Sequence, residues 1–228
     1  MNSAWQKYKG REIPASLHLR PVFDDYLRPG DRILDLGCGY GRSCKELLSK
    51  GFEDIFGLDL NLSGLREAQD WLSGIFPKGP RPNFQAGEGN RLPYKNGSFD
   101  GLIMQAFLTT LDREAQRKAV AAEAARVLTP GGHLYLADYG RNTDNPLYLK
   151  RYEEGRRLGL EEGAFPARDP VTGETLFIAR HYTHKELEEL LGSAGFSIAH
   201  HSTPTFVTWT GNRVRGHLLI GVRNRRAP

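Results

Sequence analysis

The sequence is poor in cysteine and has no long apolar run. Its two cysteines, Cys38 and Cys44, are too few for a disulfide framework, and further zinc ligands are not grouped around them. Residues 1–14 are polar and contain no apolar segment of the kind found in signal peptides. No apolar stretch approaches the ~18 residues of a membrane-spanning helix. We therefore expect a soluble, cytoplasmic protein without a membrane partner and without a metal.

The excess of positive charge is also small. The chain has 31 Lys and Arg against 27 Asp and Glu, which gives a formal net charge of +4. This balance permits an anionic partner but does not require one, and the arginine clusters at 156–157 and 223–226 are typical of solvated surfaces. A length of 228 residues suits one domain. We expect a single domain over 1–228, in which residues 1–29 form an arm and a helix.

Short apolar runs alternate with helical patterns through the first 140 residues. The runs predict five buried strands, at 32–36, 54–59, 83–86, 98–104 and 133–138. Two further strands are predicted after residue 190, at 196–201 and 216–223. Helical patterns cover 15–28, 41–50, about 62–75, 112–128 and 183–191. This alternation predicts an α/β fold with a doubly wound, mostly parallel seven-stranded sheet and helices on both faces.

Polar residues mark where several of these helices begin. Asn61 or Ser63 is placed to cap the third helical pattern, and Asp112 to cap the alanine-rich one. Thr183 and Glu186 have the spacing of a capping box. Regular alternation stops after the fifth strand, and the stretch that follows is polar and irregular, with one helix predicted from about residue 146 to 160.

Alternating glycines follow the first predicted strand. The segment 35–41 reads Asp-Leu-Gly-Cys-Gly-Tyr-Gly, and such glycines let the backbone turn sharply and approach a ligand closely. A dinucleotide site would carry Gly-x-Gly-x-x-Gly, but position 42 is Arg. The carboxylate of Asp35, at the end of the strand, would repel a pyrophosphate. The loop therefore suits a ligand that carries an ammonium group.

A second carboxylate ends the second predicted strand. Asp59 follows Gly39 by twenty residues, and in a doubly wound sheet this position reaches the hydroxyl groups of a ribose. Asp59 is also placed to cap the helix that starts near Leu62, and the two roles are compatible.

Several segments together resemble one family. Ile-Leu-Asp-Leu-Gly-Cys-Gly-Tyr-Gly-Arg at 33–42 resembles the first motif of the class I methyltransferases that use S-adenosylmethionine (SAM). Further segments resemble later motifs of that family, and they lie at 57–61, 87–94, 96–100, 126–132 and 182–191. The resemblance covers about residues 30–140 and 182–200. It implies SAM as the cofactor and the fold already predicted.

The resemblance also implies how SAM would be bound. Glu88 would hold the adenine amino group, Gly89 would offer its backbone to the ring, and Gln105 would line the methionine end. The family usually has Asp-Ala where this sequence has Glu88-Gly89, so the adenine contact departs from the pattern. The predicted cofactor-binding residues are Asp35, Gly37, Gly39, Asp59, Leu60, Glu88, Gly89 and Gln105.

Methyl transfer from a sulfonium is an in-line displacement, for which the protein mainly aligns the reactants and excludes water. A general base is needed only if the acceptor must lose a proton. The candidates are Tyr139 and the pair His181 and Tyr182; the competing interpretation places Tyr182 in the core and His181 on the surface. Because an insertion after the fifth strand often covers the acceptor in this family, we expect residues 140–181 to form a cap.

The sequence leaves the acceptor open. A small molecule methylated at oxygen, nitrogen or carbon is the leading hypothesis, and an RNA or protein is the alternative. A nucleic-acid partner is not favoured, because residues 105–108 read Gln-Ala-Phe-Leu rather than the Asn/Asp-Pro-Pro-Tyr/Phe motif of adenine and glutamine methylation. A non-catalytic SAM-binding protein and a nicotinamide dehydrogenase are the hypotheses of other classes. The oligomeric state is not determined by the sequence.

Overall fold

The computed structural model describes residues 17–169, 171–208 and 211–225. The predicted arm at 1–14 lies outside the described residues. The helices are α1 (Phe23–Tyr26), α2 (Arg42–Ser49), α3 (Leu62–Ile75), α4 (Glu114–Val127), α5 (Pro146–Arg157) and α6 (His184–Ser193). The strands are β1 (Ile33–Leu36), β2 (Ile55–Asp59), β3 (Asn83–Ala86), β4 (Phe99–Gln105), β5 (Leu128–Tyr139), β6 (Ala164–Arg168), β7 (Thr175–Arg180), β8 (Phe196–Ser202), β9 (Thr205–Val207) and β10 (Arg213–Arg223).

One large sheet contains the seven predicted strands. Their order is β3-β2-β1-β4-β5-β10-β8, and β9 pairs with β10 as an eighth strand. The first five strands of this order are parallel, whereas β10 is antiparallel to both of its neighbours β5 and β8. The predicted doubly wound, mostly parallel α/β sheet is confirmed. Within the described residues no helix is long and apolar enough to cross a membrane.

Side chains of the central strands alternate between two apolar layers. In β5, Leu134 and Leu136 pack in one layer, while Tyr135 and Ala137 pack in the other. Helices α4 and α6 cover the first layer, and α1, α2 and α3 cover the second. The order of the sheet reverses between β1 and β4, and such a reversal opens a crevice at the carboxyl ends of the two strands.

Three local predictions were wrong. The helix expected over 15–28 is reduced to the single turn of α1, because Pro21 lacks an N–H and disfavours helical backbone in the residue before it. Asp112 does not cap α4: the N-cap residue is Arg113, whose side chain makes no capping bond. The fifth strand, expected to begin at residue 133, begins at Leu128, and within its first part the pairing with β4 is irregular and Gly131 has a φ of 85°.

The insertion at 140–181 is more regular than the sequence suggested. The predicted helix is α5, and β6 and β7 form a separate antiparallel hairpin. Asp169 shapes its turn, since its carboxylate accepts the N–H groups of Val171 and Thr172. The insertion has an apolar cluster of its own, which joins it to β10 and contains Tyr148, Tyr152, Phe165, Ala179 and Val214.

The capping box at the start of α6 is confirmed. Thr183 Oγ1 accepts the N–H of Glu186 at 3.2 Å, and Glu186 Oε2 accepts the N–H of Thr183 at 2.7 Å. We expect Thr183→Ala to lower stability by about 1 kcal/mol, because a helix N–H loses its acceptor. Thermal unfolding should therefore shift down by roughly 2–4 °C, whereas the exposed Ser49→Ala should leave it unchanged. An unchanged melting temperature for Thr183→Ala would contradict this.

Candidate functional site

The glycine loop joins β1 to α2 at the crevice between β1 and β4. Gly37, Gly39 and Gly41 all have positive φ, at 78°, 51° and 76°, where residues with a Cβ are strained. The N–H of Gly37 donates to the carbonyl of Leu58 at 2.8 Å, which fixes the loop to β2. A Cβ built at Gly39 would meet no heavy atom within 4 Å. The outer face of the loop is therefore open to a ligand.

The carboxylate of Asp59 lies against this loop. Its Oδ2 accepts the N–H of Gly39 at 2.9 Å, and its Oδ1 accepts the N–H of Asn61 at 2.8 Å. Burial raises the pKa of Asp59 above its usual value, and these backbone donors oppose the rise. A carboxylate offers about four lone-pair sites, so acceptor capacity remains for hydroxyl groups of a ligand. Asn61, not Ser63, caps α3, because its Oδ1 accepts the N–H of Gly64.

A second polar cluster is formed by Asp35 of β1, Gln105 of β4 and Ser43 of α2. Asp35 is buried, and it is hydrogen-bonded by Ser43 and Cys44 from the first turn of α2. Desolvation raises the pKa of Asp35 to about 7. Gln105 Nε2 donates to Ser43 Oγ at 3.1 Å, while Gln105 Oε1 is buried and has no partner among the described residues. An unpaired buried acceptor is costly, and a ligand cation at this point would satisfy it.

The remaining predicted residues flank the end of β2. The N–H of Gly87 donates to the carbonyl of Asp59 at 3.1 Å, which brings the loop after β3 beside that carboxylate. In this loop Glu88 is exposed and Gly89 is half-buried. Leu60, directly after β2, is 59% exposed. The structure thus brings all eight predicted residues to one edge of the sheet.

Comparison with solved structures gives the family. A SAM-dependent methyltransferase of Methanosarcina mazei is 38% identical, with a TM-score of 0.85, over 92% of this chain and 100% of that one. The chain belongs to the SAM-dependent methyltransferases. The family model described as a methyltransferase domain matches residues 33–132, which include the glycine loop, Asp59 and Gln105.

Two other similar proteins have more specific names. An O-methyltransferase of Aspergillus sclerotiorum is 30% identical over 171 residues, which are 74% of this chain and 56% of that protein. The chain thus spans about half the length of the curated relatives it matches. The 1,6-didemethyltoxoflavin-N1-methyltransferase of Burkholderia thailandensis shares the fold, with 19% identity and a TM-score of 0.62 over 86% of this chain and 72% of that one.

The polar groups at this edge of the methyltransferase sheet match the chemical groups of SAM. SAM has a ribose with two hydroxyl groups, a methionine ammonium and a sulfonium, and it is cationic where a dinucleotide is anionic. Asp59 offers free lone pairs beside an open glycine loop, and Gln105 Oε1 lacks a partner near Asp35.

The catalytic candidates separate into two groups in the structure. Tyr139 and His181 are stacked, with ring centroids 5.5 Å apart. His181 Nδ1 lies 2.8 Å from the hydroxyl of Tyr152, and burial lowers the pKa of His181 to about 3. The Tyr182 hydroxyl instead donates to the carbonyl of Leu108 at 2.7 Å within the core. The interpretation of Tyr182 as a core residue is confirmed, and that of His181 as a surface residue was wrong.

Two residues of the site were missed in the sequence. Ser43 bridges Asp35 and Gln105, and its position in the first turn of a helix after a glycine loop was the available signal. Arg42 is half-buried and close enough to Tyr139 to influence its pKa, although burial is the main reason that the pKa of Arg42 is lowered.

Proposed function

We propose that this protein transfers a methyl group from SAM to a small-molecule acceptor by in-line displacement. The observation that carries the proposal is the edge formed by Asp59, Gln105 and the open face of Gly39, which has the acceptors that SAM requires. The names of the similar proteins support the class of acceptor, since they include O-methyltransferases and a demethylmenaquinone methyltransferase. A cytoplasmic location stays a prediction of the sequence.

Each side of the edge would hold one part of SAM. Asp59 would accept hydrogen bonds from the ribose hydroxyls, and Leu60 with the Glu88–Gly89 loop would contact the adenine. Asp35 and Gln105 Oε1 would face the methionine ammonium. The glycines at 37 and 39 would let the backbone approach the cofactor. This assignment gives a hydrogen-bond donor, the ammonium group, to Gln105 Oε1, which is buried and has no partner among the described residues.

Methyl transfer requires little of the protein beyond alignment of the acceptor with the methyl group. Bound SAM supplies an activated methyl group, so the protein must orient the acceptor and exclude water. We assign the covering role to the insertion at 140–181, whose aromatic cluster packs around His181. Within this cluster His181, which contacts Tyr152 and stacks on Tyr139, is proposed to orient the acceptor rather than to act as the base, because burial lowers its pKa to about 3. Tyr182 has a structural role in this proposal.

Calorimetry followed by an activity screen tests the proposal. Wild-type protein is titrated with SAM, with S-adenosylhomocysteine (SAH) and with NADH, and then assayed for transfer of labelled methyl groups to phenols, amines, carboxylic acids and RNA. We expect binding of SAM and SAH, no binding of NADH, and transfer to a small molecule. Binding without transfer to any class would favour a non-catalytic protein, and labelled RNA would favour the nucleic-acid alternative. No binding of SAM or SAH would refute the assignment.

Cofactor affinity should depend on pH through Asp35. With a pKa of about 7 the free carboxyl is largely protonated below neutrality, and an ammonium binds its ionised form. Since the α-amino group stays charged in this range, affinity for SAM should rise with pH up to about 7. The expected gain is about tenfold per unit below roughly pH 6. Titrations of Asp35→Asn should be weaker and nearly flat; a flat wild-type profile would remove Asp35 from the ammonium site.

A further inference from the structure

The side chain of Phe107 fills the gap between the two loops assigned to SAM. A Cβ built on Gly37, in the glycine loop, would lie 2.3 Å from Phe107 Cδ2. A Cβ built on Gly89, in the loop after β3, would lie 2.9 Å from Phe107 Cζ. Real Cβ atoms do not approach other atoms so closely. The ring therefore packs directly on the backbone of both glycines, with one edge against each loop.

The backbone before Phe107 is held in an uncommon conformation. Ala106 has a φ of 49°. Among the non-glycine residues that the structure describes, it alone has a positive φ. Such a conformation is strained and persists where the surroundings enforce it. The N–H of Ala106 donates to the carbonyl of Ala137 at 2.8 Å, which anchors the turn to β5. This strained turn aims the Phe107 ring at the two loops.

The same ring accounts for the glycine at position 89. A methyl group there would overlap the tip of the Phe107 ring. The φ of Gly89 is not positive, so its backbone does not by itself require glycine. Steric exclusion by Phe107 is therefore the reason that the structure offers for glycine at this position.

We propose that Phe107 is a positioning residue for the adenosine half of the cofactor, and that Gly89 is its required partner. The ring sets the distance between the glycine loop and the Glu88–Gly89 loop, and so the width of the slot for the adenine and ribose. The inference rests on the proposed function, because it assigns the slot to SAM. It adds a residue that follows β4, next to Gln105, to the determinants of adenosine binding.

A double-mutant cycle tests the proposal. Gly89→Ala, Phe107→Leu and the double variant are titrated with SAH, with adenosine and with methionine, and their thermal unfolding is recorded. We expect Gly89→Ala to weaken SAH and adenosine binding at least tenfold, because its methyl group displaces the loop. Phe107→Leu alone should cause a smaller loss, and the double variant should bind about as well as Phe107→Leu, since leucine lacks the ring tip that the new methyl group would displace. Methionine binding should be unaffected, and Gly30→Ala, which has open space around its Cβ, should bind like wild type.

Other outcomes would overturn the proposal in distinguishable ways. Additive losses in the double variant would show that the two positions are independent. Equal losses for adenosine and methionine, with a lowered melting temperature, would show a purely structural role for Phe107. Tighter SAH binding by Phe107→Leu alone would show that the ring obstructs the slot. If the wild type binds neither SAH nor adenosine, the proposed function itself fails, and this inference fails with it.

Discussion

Replacing Asp59 by asparagine is expected to weaken SAM binding by about ten- to a hundredfold. The loss of roughly 1–3 kcal/mol corresponds to charged hydrogen bonds to the ribose hydroxyls, which a neutral amide makes less well and cannot make twice. The carboxylate is held in place by the N–H groups of Gly39 and Asn61 at 2.9 and 2.8 Å. It therefore needs no reorganisation to receive a ligand. Calorimetric titration with SAM and SAH measures the effect.

The choice of asparagine matters because Asp59 also holds the glycine loop in place. An alanine would leave the N–H groups of Gly39 and Asn61 without their acceptor, so it would disturb the glycine loop as well as the ligand contact. Asparagine keeps one acceptor oxygen in nearly the same place. Asp70→Asn, an exposed carboxylate on α3, is the matched control and should bind SAM normally. Unchanged affinity in Asp59→Asn would remove Asp59 from the cofactor site.

The sequence predicted those parts of the site that depend on the ends of strands. Asp35, the glycine loop and Asp59 follow apolar runs directly, and parallel strands bring their carboxyl ends to one edge, so their proximity follows from the pattern alone. The bond from Gln105 to Ser43 joins residues 62 positions apart. No periodicity encodes such a contact, because it depends on how α2 packs over the crevice.

The errors in the fold come from places where local signals compete with packing. The 130–132 segment has the residues of a turn, and Gly131 has a φ of 85°, yet Leu128 and His133 on either side of it pair with β4, so the segment is an irregularity within β5. The β6–β7 hairpin was missed although its second strand is rich in β-branched and aromatic residues, because its first strand is short and contains Pro166, a residue that argues against a strand. The single turn of α1 reflects Pro21, whose effect on the backbone outweighs the helical spacing of apolar residues over 15–28.

The second large effect is expected for Gly155→Ala, a substitution in the insertion that we assign as a cap. Helix α5 rests on β6 through Gly155, where a Cβ would lie 1.9 Å from the carbonyl oxygen of Ala164. Gly155→Ala must therefore push α5 away from the hairpin by more than about 1 Å, a strain of about 1–3 kcal/mol for overpacking. Tyr148 and Tyr152, on α5, would move with it, and the 2.8 Å contact of Tyr152 with His181 would lengthen.

Methyl transfer by Gly155→Ala is therefore expected to fall by up to about a hundredfold, since a displacement of 1 Å can cost that much in an aligned reaction. Affinity for SAH should change less than about twofold, because α5 contributes no residue to the edge formed by Asp59 and Gln105. The rate is measured with the best acceptor of the screen, and hydrogen exchange reports whether α5 has moved. Gly74→Ala, in α3 with open space around its Cβ, is the matched helical control and should retain full activity. If Gly155→Ala shifts α5 but transfers methyl groups at the wild-type rate, the insertion does not cover the acceptor.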